Sequence, residues 1–318
     1  MNSARKNNGF SLTELMIAMV LGIIVVLAVT GIFLATQQTN MLTNMFINVQ
    51  NGARVSFQLM SRDLRSAGFS GCGNKTDVVN VTTAGNGAPA AAWAVWNNGI
   101  VGFDNNPPNI AGMTPVANTD AVRLMFGAGQ GVTITNHDTA NSTFTVNANP
   151  LDNTINAGEL MLVCDSNARA AMFIASNVIG PPANQIRHLQ GAVTNASPNL
   201  GWPIDTVETF GIGGMILPLE SVAWFVSEND SGGNSLYRSH VMNGNEIADE
   251  VVAGIDDFQL EYEVLQGVNP PGVWMTANNV VNWGMVIAVR ASMTFDTGEK
   301  MSEKLGSLNH MVANRQRM

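Results

Sequence analysis

The sequence predicts an α+β fold in which one long N-terminal helix, first transmembrane and then amphipathic, packs on a large antiparallel β-rich globular domain. Three observations support this prediction. Residues 10–35 form an apolar run, apolar residues then recur at steps of three and four up to residue 64, and short apolar runs alternate with Gly, Asn, Pro and Asp clusters from residue 69. Only 12% of the residues are charged and 46% are hydrophobic, which argues against a disordered chain.

The apolar run at residues 10–35 predicts a membrane-spanning helix. A bilayer requires about 20 mostly apolar helical residues, and Glu14 is the one charged residue in the run. Basic residues 5 and 6 precede it and no charge follows until Arg54, so the positive-inside bias places the N-terminus in the cytoplasm. Because no Ala-x-Ala cleavage site occurs in the first 40 residues, we expect the apolar segment to remain in the mature protein.

Glu14 is the unusual residue of this run. A carboxylate deep in a bilayer costs about 2.5–3.5 kcal/mol, and such residues usually mark function. In the alternative interpretation, Glu14 lies at a shallow depth and is solvated at the membrane interface. The position of Glu14 by itself leaves both interpretations open.

The helix is predicted to continue beyond the membrane as an amphipathic helix. Apolar residues at steps of three and four form one stripe. The stripe consists of Leu42, Met45, Phe46, Val49, Ala53, Phe57, Met60 and Leu64. Arg62 and Arg65 in the last turns, followed by Gly68, are helix stop signals. Gly22 and Gly31 are points at which the helix could bend or melt.

The segment Gly9-Phe10-Ser11-Leu12-Thr13-Glu14, between a short basic leader and the apolar run, resembles the class III signal of type IV pilins and pseudopilins. The resemblance implies that a prepilin peptidase cuts after Gly9 and N-methylates Phe10. It also implies that Glu14 pairs with the N-terminal amine of a neighbouring subunit during assembly. Opposite charges in a low dielectric offset each other's desolvation only when they are paired.

The globular part is predicted to consist of short antiparallel strands separated by turns. The candidate strands are Val78–Val81, Ala121–Phe126, Val132–Thr135, Thr143–Val146, Glu159–Val163, Ala170–Ala175, Ser221–Ser227, Ser235–His240, Asp256–Val264 and Val281–Phe295. Apolar and polar residues alternate in Asp256–Val264, which predicts a strand with one wet face. The Asn- and Pro-rich stretches 97–118 and 195–203 are expected to be surface loops.

The C-terminal half resembles PilW-type minor pilins. The similar features are Leu236-Tyr237-Arg238, the strand at Val251–Val264 and the strand at Trp283–Arg290, in that order. The stretch 62–69 also resembles these proteins, whereas the ending 314–317 departs from their usual tail. The resemblance implies a pilin-like fold.

The two resemblances together imply four segments. Residues 1–9 are the expected leader peptide, 10–35 the transmembrane half of the helix, and 36–68 its amphipathic half. Residues 69–318 form the expected β-rich periplasmic domain. The protein is then expected in the inner membrane as a single-pass protein with a cytoplasmic N-terminus, and afterwards in the pilus fibre, at its tip.

The implied function is structural: a minor pilin that takes part in type IV pilus assembly and priming, without catalytic activity, metal or cofactor. The implied partners are the prepilin peptidase, other minor pilins and the major pilin, the inner-membrane assembly machinery and a tip adhesin. One alternative is a J-type pseudopilin of a type II secretion system, whose globular part is usually smaller. A second alternative is a membrane-anchored exported enzyme or binding module, which requires a convergent polar site.

Charge and cysteine content limit the partners and the compartment. The net charge of −9 and the absence of a basic stripe argue against nucleic-acid binding. The spacing of Cys72 and Cys164 fits neither a zinc ribbon nor a C-x-x-C motif. In an exported chain a Cys72–Cys164 disulfide is predicted; the alternative is two separate buried thiols.

No motif in the sequence indicates a chemical site. The four histidines form no H-E-x-x-H and no G-x-S-x-G occurs. The segment Asn229–Asn234 could offer oxygens to Ca²⁺, but a hairpin turn explains it better. A solvated sheet face is expected at Tyr237, Arg238 and Asp256–Asp257, with an interaction surface as the alternative. The six tryptophans are expected to be core or loop anchors.

Overall fold

Helix α1 runs from Leu12 to Ser66 in the computed structural model of the chain. It passes through Gly22 and Gly31 without interruption. It ends where the stop signals predict, because Gly68 takes a left-handed φ of 77° that glycine adopts without steric cost. The Gly68 N–H then donates to the backbone oxygen of Met125 at 2.8 Å, which fixes the exit of the chain from the helix.

The structure describes residues 12–71, 78–86, 90–152, 155–166, 170–242, 244–267, 272–295 and 308–313. The chain divides into two compact units between Asn51 and Gly52. A long apolar helix followed by a large β-rich domain confirms the predicted α+β, pilin-like fold.

The first unit is helical throughout its described part. Its side chains are exposed from residue 12 to residue 44. By length and composition this is the one helix among the described residues that is apolar enough to cross a membrane. That agrees with a spanning segment, although a signal sequence meets the same criterion.

The second unit contains the last turns of α1 and the strands. The strands are β1 (Val79–Asn80), β2 (Ile100–Phe103), β3 (Ala121–Gly127), β4 (Val132–Asp138), β5 (Thr143–Val146), β6 (Leu160–Cys164), β7 (Ala170–Ile174), β8 (Asn177–Ile179), β9 (Gln185–Arg187), β10 (Met215–Glu228), β11 (Asn234–Met242), β12 (Asn245–Ala253), β13 (Ile255–Val264), β14 (Val273–Met275), β15 (Val286–Phe295) and β16 (Leu308–Ala313). The short helices are α2 (Thr83–Asn86) and the 3₁₀ turns Ala92–Ala94, Asn97–Gly99, Ala277–Asn279 and Trp283–Met285.

Strand β10 is the centre of the larger sheet. Its first residues, Met215–Pro218, pair with β6 and partly with β4, whereas its later residues pair with β3 and β11. These pairs are antiparallel, and β1 joins β7 in parallel. One path of the sheet runs β1-β7-β6-β10-β4-β5-β9-β8, and the other runs β2-β3-β10-β11-β12. One long strand therefore unites two groups of shorter strands.

A second sheet, with the order β14-β13-β15-β16, is antiparallel throughout. Asp120, just before β3, connects it to the larger sheet. The Asp120 N–H donates to Phe258 O at 2.9 Å, and its carboxylate accepts from Leu260 N at 2.7 Å. Burial raises the pKa of Asp120 to about 6, against the hydrogen bonds donated by Asn105 and Leu260.

The amphipathic half of α1 packs as predicted within the second unit. Ala53, Phe57, Met60 and Leu64 are buried there. Each such side chain contributes roughly 1.5–3 kcal/mol of apolar burial, apart from the smaller Ala53. The stripe in this part of the helix therefore holds the last turns against the β domain.

Every candidate strand overlaps an observed strand, but most boundaries differ from the prediction; β10, for example, begins at Met215 and not at Ser221. Trp283 and Met285 fit the alternation of a strand, yet they form a 3₁₀ turn in which the Asn282 side chain accepts from Gly284 N at 2.9 Å. Strand β15 therefore begins at Val286. Strand β2 lies inside the stretch 97–118 that was predicted to be a loop, because four residues are too short to show periodicity. Strands β8, β9, β12, β14 and β16 were not predicted.

Candidate functional site

The predicted processing site is only partly within the described residues. Gly9 and Phe10 lie outside them. Glu14 lies in the first turn of α1 and is exposed. An acidic residue in the first turn interacts favourably with the positive end of the helix dipole.

A buried carboxylate at the end of α1 joins the helix to the larger sheet. Asp63 is fully buried and accepts from Arg238 Nε at 2.8 Å and from Trp224 Nε1 at 3.2 Å. Arg238 also reaches Glu220 at 3.3 Å, and exposed Arg62 lies 3.1 Å from the other oxygen of Asp63. Burial opposes the charge of Arg238, but the hydrogen bond and the charge of Asp63 raise its pKa above the usual value.

The Asp63–Arg238 pair brings together two segments that carry the resemblance, residues 62–69 and residues 236–238. Asp63 follows Met60 by three residues, so helical spacing places it on the buried side of the stripe. A charged residue at such a position was the signal that sequence reasoning missed. A carboxylate there requires a cationic partner, and β11 supplies one.

A second ion pair lies on the opposite face of the same sheet, because Arg123 and Ser239 pair with Ala223, the residue before Trp224. Arg123 Nη1 on β3 lies 2.6 Å from Glu246 Oε1 on β12. Ser239 Oγ donates to the same carboxylate at 2.8 Å, and Ala111 N donates at 3.3 Å. Strands β3 and β12 are separated by β10 and β11. The ion pair therefore connects the edge strand β12 to a strand that is not its hydrogen-bonded neighbour.

Two histidines form a hydrogen-bonded pair in an aromatic core. Phe210 N–H donates to His137 Nδ1 at 3.1 Å, so the Nε2 of His137 carries the hydrogen and donates to His188 Nε2 at 3.2 Å. His188 Nδ1 donates in turn to Pro198 O at 2.9 Å. Phe144 stacks on His137 with ring centroids 4.1 Å apart.

This arrangement opposes both protonation and metal binding. Burial lowers the pKa of His137 to about 4, against the charge of Asp138. Burial and the neighbouring His137 lower the pKa of His188 to about 3. His137 Nε2 carries a hydrogen while Nδ1 accepts from Phe210, so neither nitrogen has a lone pair directed at a metal. No group of three or more metal-ligating side chains occurs in the described part of the chain.

The structure corrects two expectations about surface residues. Tyr237 and Arg238 were expected on a solvated sheet face, but Tyr237 is buried against Phe225 and Arg238 is bound to Asp63. Trp202 was expected to be an anchor, yet 77% of it is exposed. Both predictions relied on the residues next to these side chains in the sequence. The exposure of a side chain depends instead on which other chain segments pack against it.

The segment Asn229–Asn234 is a hairpin turn, as expected. Asn229 N donates to Gly233 O at 2.7 Å, and the Asn229 side-chain oxygen accepts from Ser231 N and Gly233 N. The turn joins β10 to β11. Its oxygen groups are thus occupied in part by local hydrogen bonds.

Cys164 lies fully buried in β6, with its Sγ 3.3 Å from Ser70 O. Cys72 follows Ser70 by two residues but lies outside the described residues. No free cysteine occurs among the residues that the structure describes. The Cys72–Cys164 disulfide stays a prediction.

Comparisons with known proteins match both ends of the chain. Residues 4–30 match the prokaryotic N-terminal methylation motif. Residues 223–312 match the family of type IV pilus-assembly protein W. No curated protein and no solved structure gives a significant match.

The second match begins within β10 and extends into β16, so it includes Trp224, Arg238 and all four strands of the second sheet. Neither the pseudopilin nor the exported enzyme or binding module is favoured by these matches. The methylation motif, the long apolar helix and the C-terminal strands agree with one another. These findings together support a minor pilin of type IV pilus assembly.

Proposed function

We propose that this minor pilin is held in the inner membrane by α1, primes pilus assembly together with other minor pilins, and ends at the tip of the fibre. The observation that supports this proposal is the methylation motif at residues 4–30, which includes the beginning of a membrane-length helix. The N-terminus is cytoplasmic and the β domain periplasmic before assembly. The proposed partners are the prepilin peptidase, the major pilin, the assembly machinery and a tip adhesin.

The proposed role is structural and not catalytic. The pilin family indicates such a role. Buried Asp63 pairs with half-buried Arg238, and buried Arg123 pairs with half-buried Glu246, across elements of the β domain. Each of these charges therefore has a partner within the β domain.

Processing tests the proposal directly. We expect the membrane-extracted protein to begin at N-methylated Phe10, because the peptidase removes residues 1–9 and methylates the new terminus. Intact mass and N-terminal sequencing measure both steps. Retention of Met1, or a cut near residue 36, contradicts the proposal. A Gly9→Leu variant serves as the control and should keep its leader.

The same mass measurement tests the Cys72–Cys164 disulfide. We propose this disulfide because Cys164 is buried next to Ser70, which lies close to Cys72 in the chain. Under non-reducing conditions the protein should be lighter than the reduced protein by two hydrogen atoms. Equal masses leave two thiols and exclude the bond.

Glu14 is proposed to pair with the amine of Phe10 in a neighbouring subunit. We expect Glu14→Ala and Glu14→Gln to insert into the membrane at normal levels but to be lost from sheared pili. The charge, and not the volume, of Glu14 offsets the desolvation of the amine. Immunoblots measure how much of each variant is present in the membrane fraction and in the pilus fraction, with Leu15→Ala as the matched control. Normal incorporation of Glu14→Gln excludes the ion pair.

A further inference from the structure

The irregular connection between β9 and β10 exposes a large aromatic side chain. Trp202 is 77% exposed, whereas the other tryptophans are buried or half-buried. The exposed indole offers an aromatic face on which a ligand can stack.

Trp202 borders a groove with a volume of about 780 Å³, which is within the range of small-molecule sites. Trp96 forms another part of the wall, and the lining contains Asn80, Asn86, Asn97 and Asn98. The amide nitrogen of Asn86 already donates to Asn80 O and Thr82 O. None of the described lining residues is charged. The groove therefore combines aromatic surface with neutral groups that both donate and accept hydrogen bonds.

Two further features concern the walls of the groove. Asn97 and Asn98 have positive φ values of 39° and 57°. Gly99 N donates to Trp96 O at 2.6 Å across them, so both asparagines lie in a tight turn, a conformation that asparagine tolerates. The indole N–H of Trp96 is buried and has no hydrogen-bond partner among the described residues. Leaving a buried donor without a partner is unfavourable and calls for an explanation.

A saccharide meets these requirements better than other ligands. One face of a pyranose ring presents C–H groups, which pack flat against an indole. Its hydroxyls donate and accept hydrogen bonds, as the asparagine amides do. An acidic ligand or a nucleic acid would require cations, which the described lining lacks.

We infer that the groove binds a neutral oligosaccharide, with one pyranose ring stacked on Trp202 and its hydroxyls bonded to the amides of Asn97 and Asn98. This inference goes beyond pilus assembly, since it assigns a ligand to the β domain. It does not depend on processing at Gly9 or on the charge of Glu14.

Titration of the detergent-solubilised full chain with chitotetraose and cellotetraose tests the inference, with tryptophan fluorescence as the readout. Both are neutral β-1,4-linked oligosaccharides with flat C–H faces. We expect saturable binding of at least one of them. We expect an oligogalacturonate, which is acidic, to bind at least about tenfold more weakly, a difference of about 1.4 kcal/mol.

Substitution of Trp202 distinguishes binding in this groove from binding elsewhere on the protein. Trp202→Ala should lose at least about tenfold in affinity, and Trp202→Phe should retain part of it, because phenylalanine keeps an aromatic face. Ile212→Ser is the matched control: Ile212 lies on the same connection, is 84% exposed, and does not line the groove. Isothermal calorimetry provides the affinities of the Trp202 variants without relying on their fluorescence.

Three results overturn the inference. The first is the absence of saturable binding of either oligosaccharide. The second is an unchanged affinity in Trp202→Ala. The third is an equal loss in Ile212→Ser, which would indicate a general effect on the connection. Because Trp202 is exposed, these variants should unfold at the temperature of the wild type, which circular dichroism checks.

Discussion

Asp63→Ala is expected to lower the free energy of unfolding by about 3–5 kcal/mol, the usual effect of removing one partner of a buried ion pair. The substitution leaves the Nε of Arg238 and the indole N–H of Trp224 without the carboxylate that each contacts. Both groups lie in the sheet against which the last turns of α1 pack. Urea unfolding of the detergent-solubilised full chain, followed by tryptophan fluorescence, measures the change.

The second cationic partner of Asp63 provides a control substitution. Arg62 contacts Asp63 from the exposed side, with 63% of its side chain accessible. Exposed ion pairs contribute about 0–1 kcal/mol, so Arg62→Ala should stay within that range. Asp63→Asn should fall between the two, since the amide oxygen still accepts from Trp224 but the charge is lost. If Arg62→Ala is as destabilising as Asp63→Ala, the buried pair is not the cause.

Acidification is expected to destabilise the β domain through His137 and His188. The pKa of each is lowered on folding, to about 4 and about 3, from an ordinary value near 6.5. Between those values and pH 6.5 the unfolded chain binds more protons than the folded chain. The stability contributed by the neutral pair is therefore complete above pH 6.5 and is lost as the pH falls towards 4.

The expected slope is at most about 1.4 kcal/mol per pH unit for each imidazole. Asp120 acts in the opposite direction, because its pKa is raised on folding to about 6. Its contribution to stability therefore grows as the pH falls from 6 towards 4. The net slope of the wild type is the sum of these opposing effects.

A double variant, His137→Gln with His188→Gln, isolates the histidine pair. Glutamine keeps hydrogen-bonding groups and does not titrate, and Asp120 is present in both proteins and cancels in the comparison. We expect the stability difference between wild type and variant to shrink as the pH falls from 7 to 4.5 in urea unfolding. A difference that stays constant with pH removes the histidine pair as the acid-sensitive element.

Several parts of the structure follow directly from local sequence. The apolar stripe at Ala53, Phe57, Met60 and Leu64 and the stop at Gly68 predict the end of α1, because helical spacing and capping are properties of neighbouring residues. Alternation predicts β13 well, since one of its faces is wet. The same alternation wrongly predicts a strand at Trp283. The side chain of Asn282 caps a 3₁₀ turn there, although the residues of the turn still fit an alternating pattern.

Other features depend on residues that are distant in sequence. Asp63 and Arg238 are 175 residues apart, and His137 lies 51 residues from His188. No local pattern relates such partners. Likewise, the exposure of Trp202 and the burial of Tyr237 depend on which segments cover them.

The processing signal, the membrane-length helix, the amphipathic stripe and the order of most strands can be predicted from the sequence, because each depends on short-range spacing. The burial and pairing of the charges, the tautomers of the histidine pair and the groove beside Trp202 depend on the folded structure. These properties arise where β10 and its neighbours bring separate segments together. Burial between these segments changes the free energy of ionisation of a side chain, and the neighbouring residues in the sequence do not indicate this change.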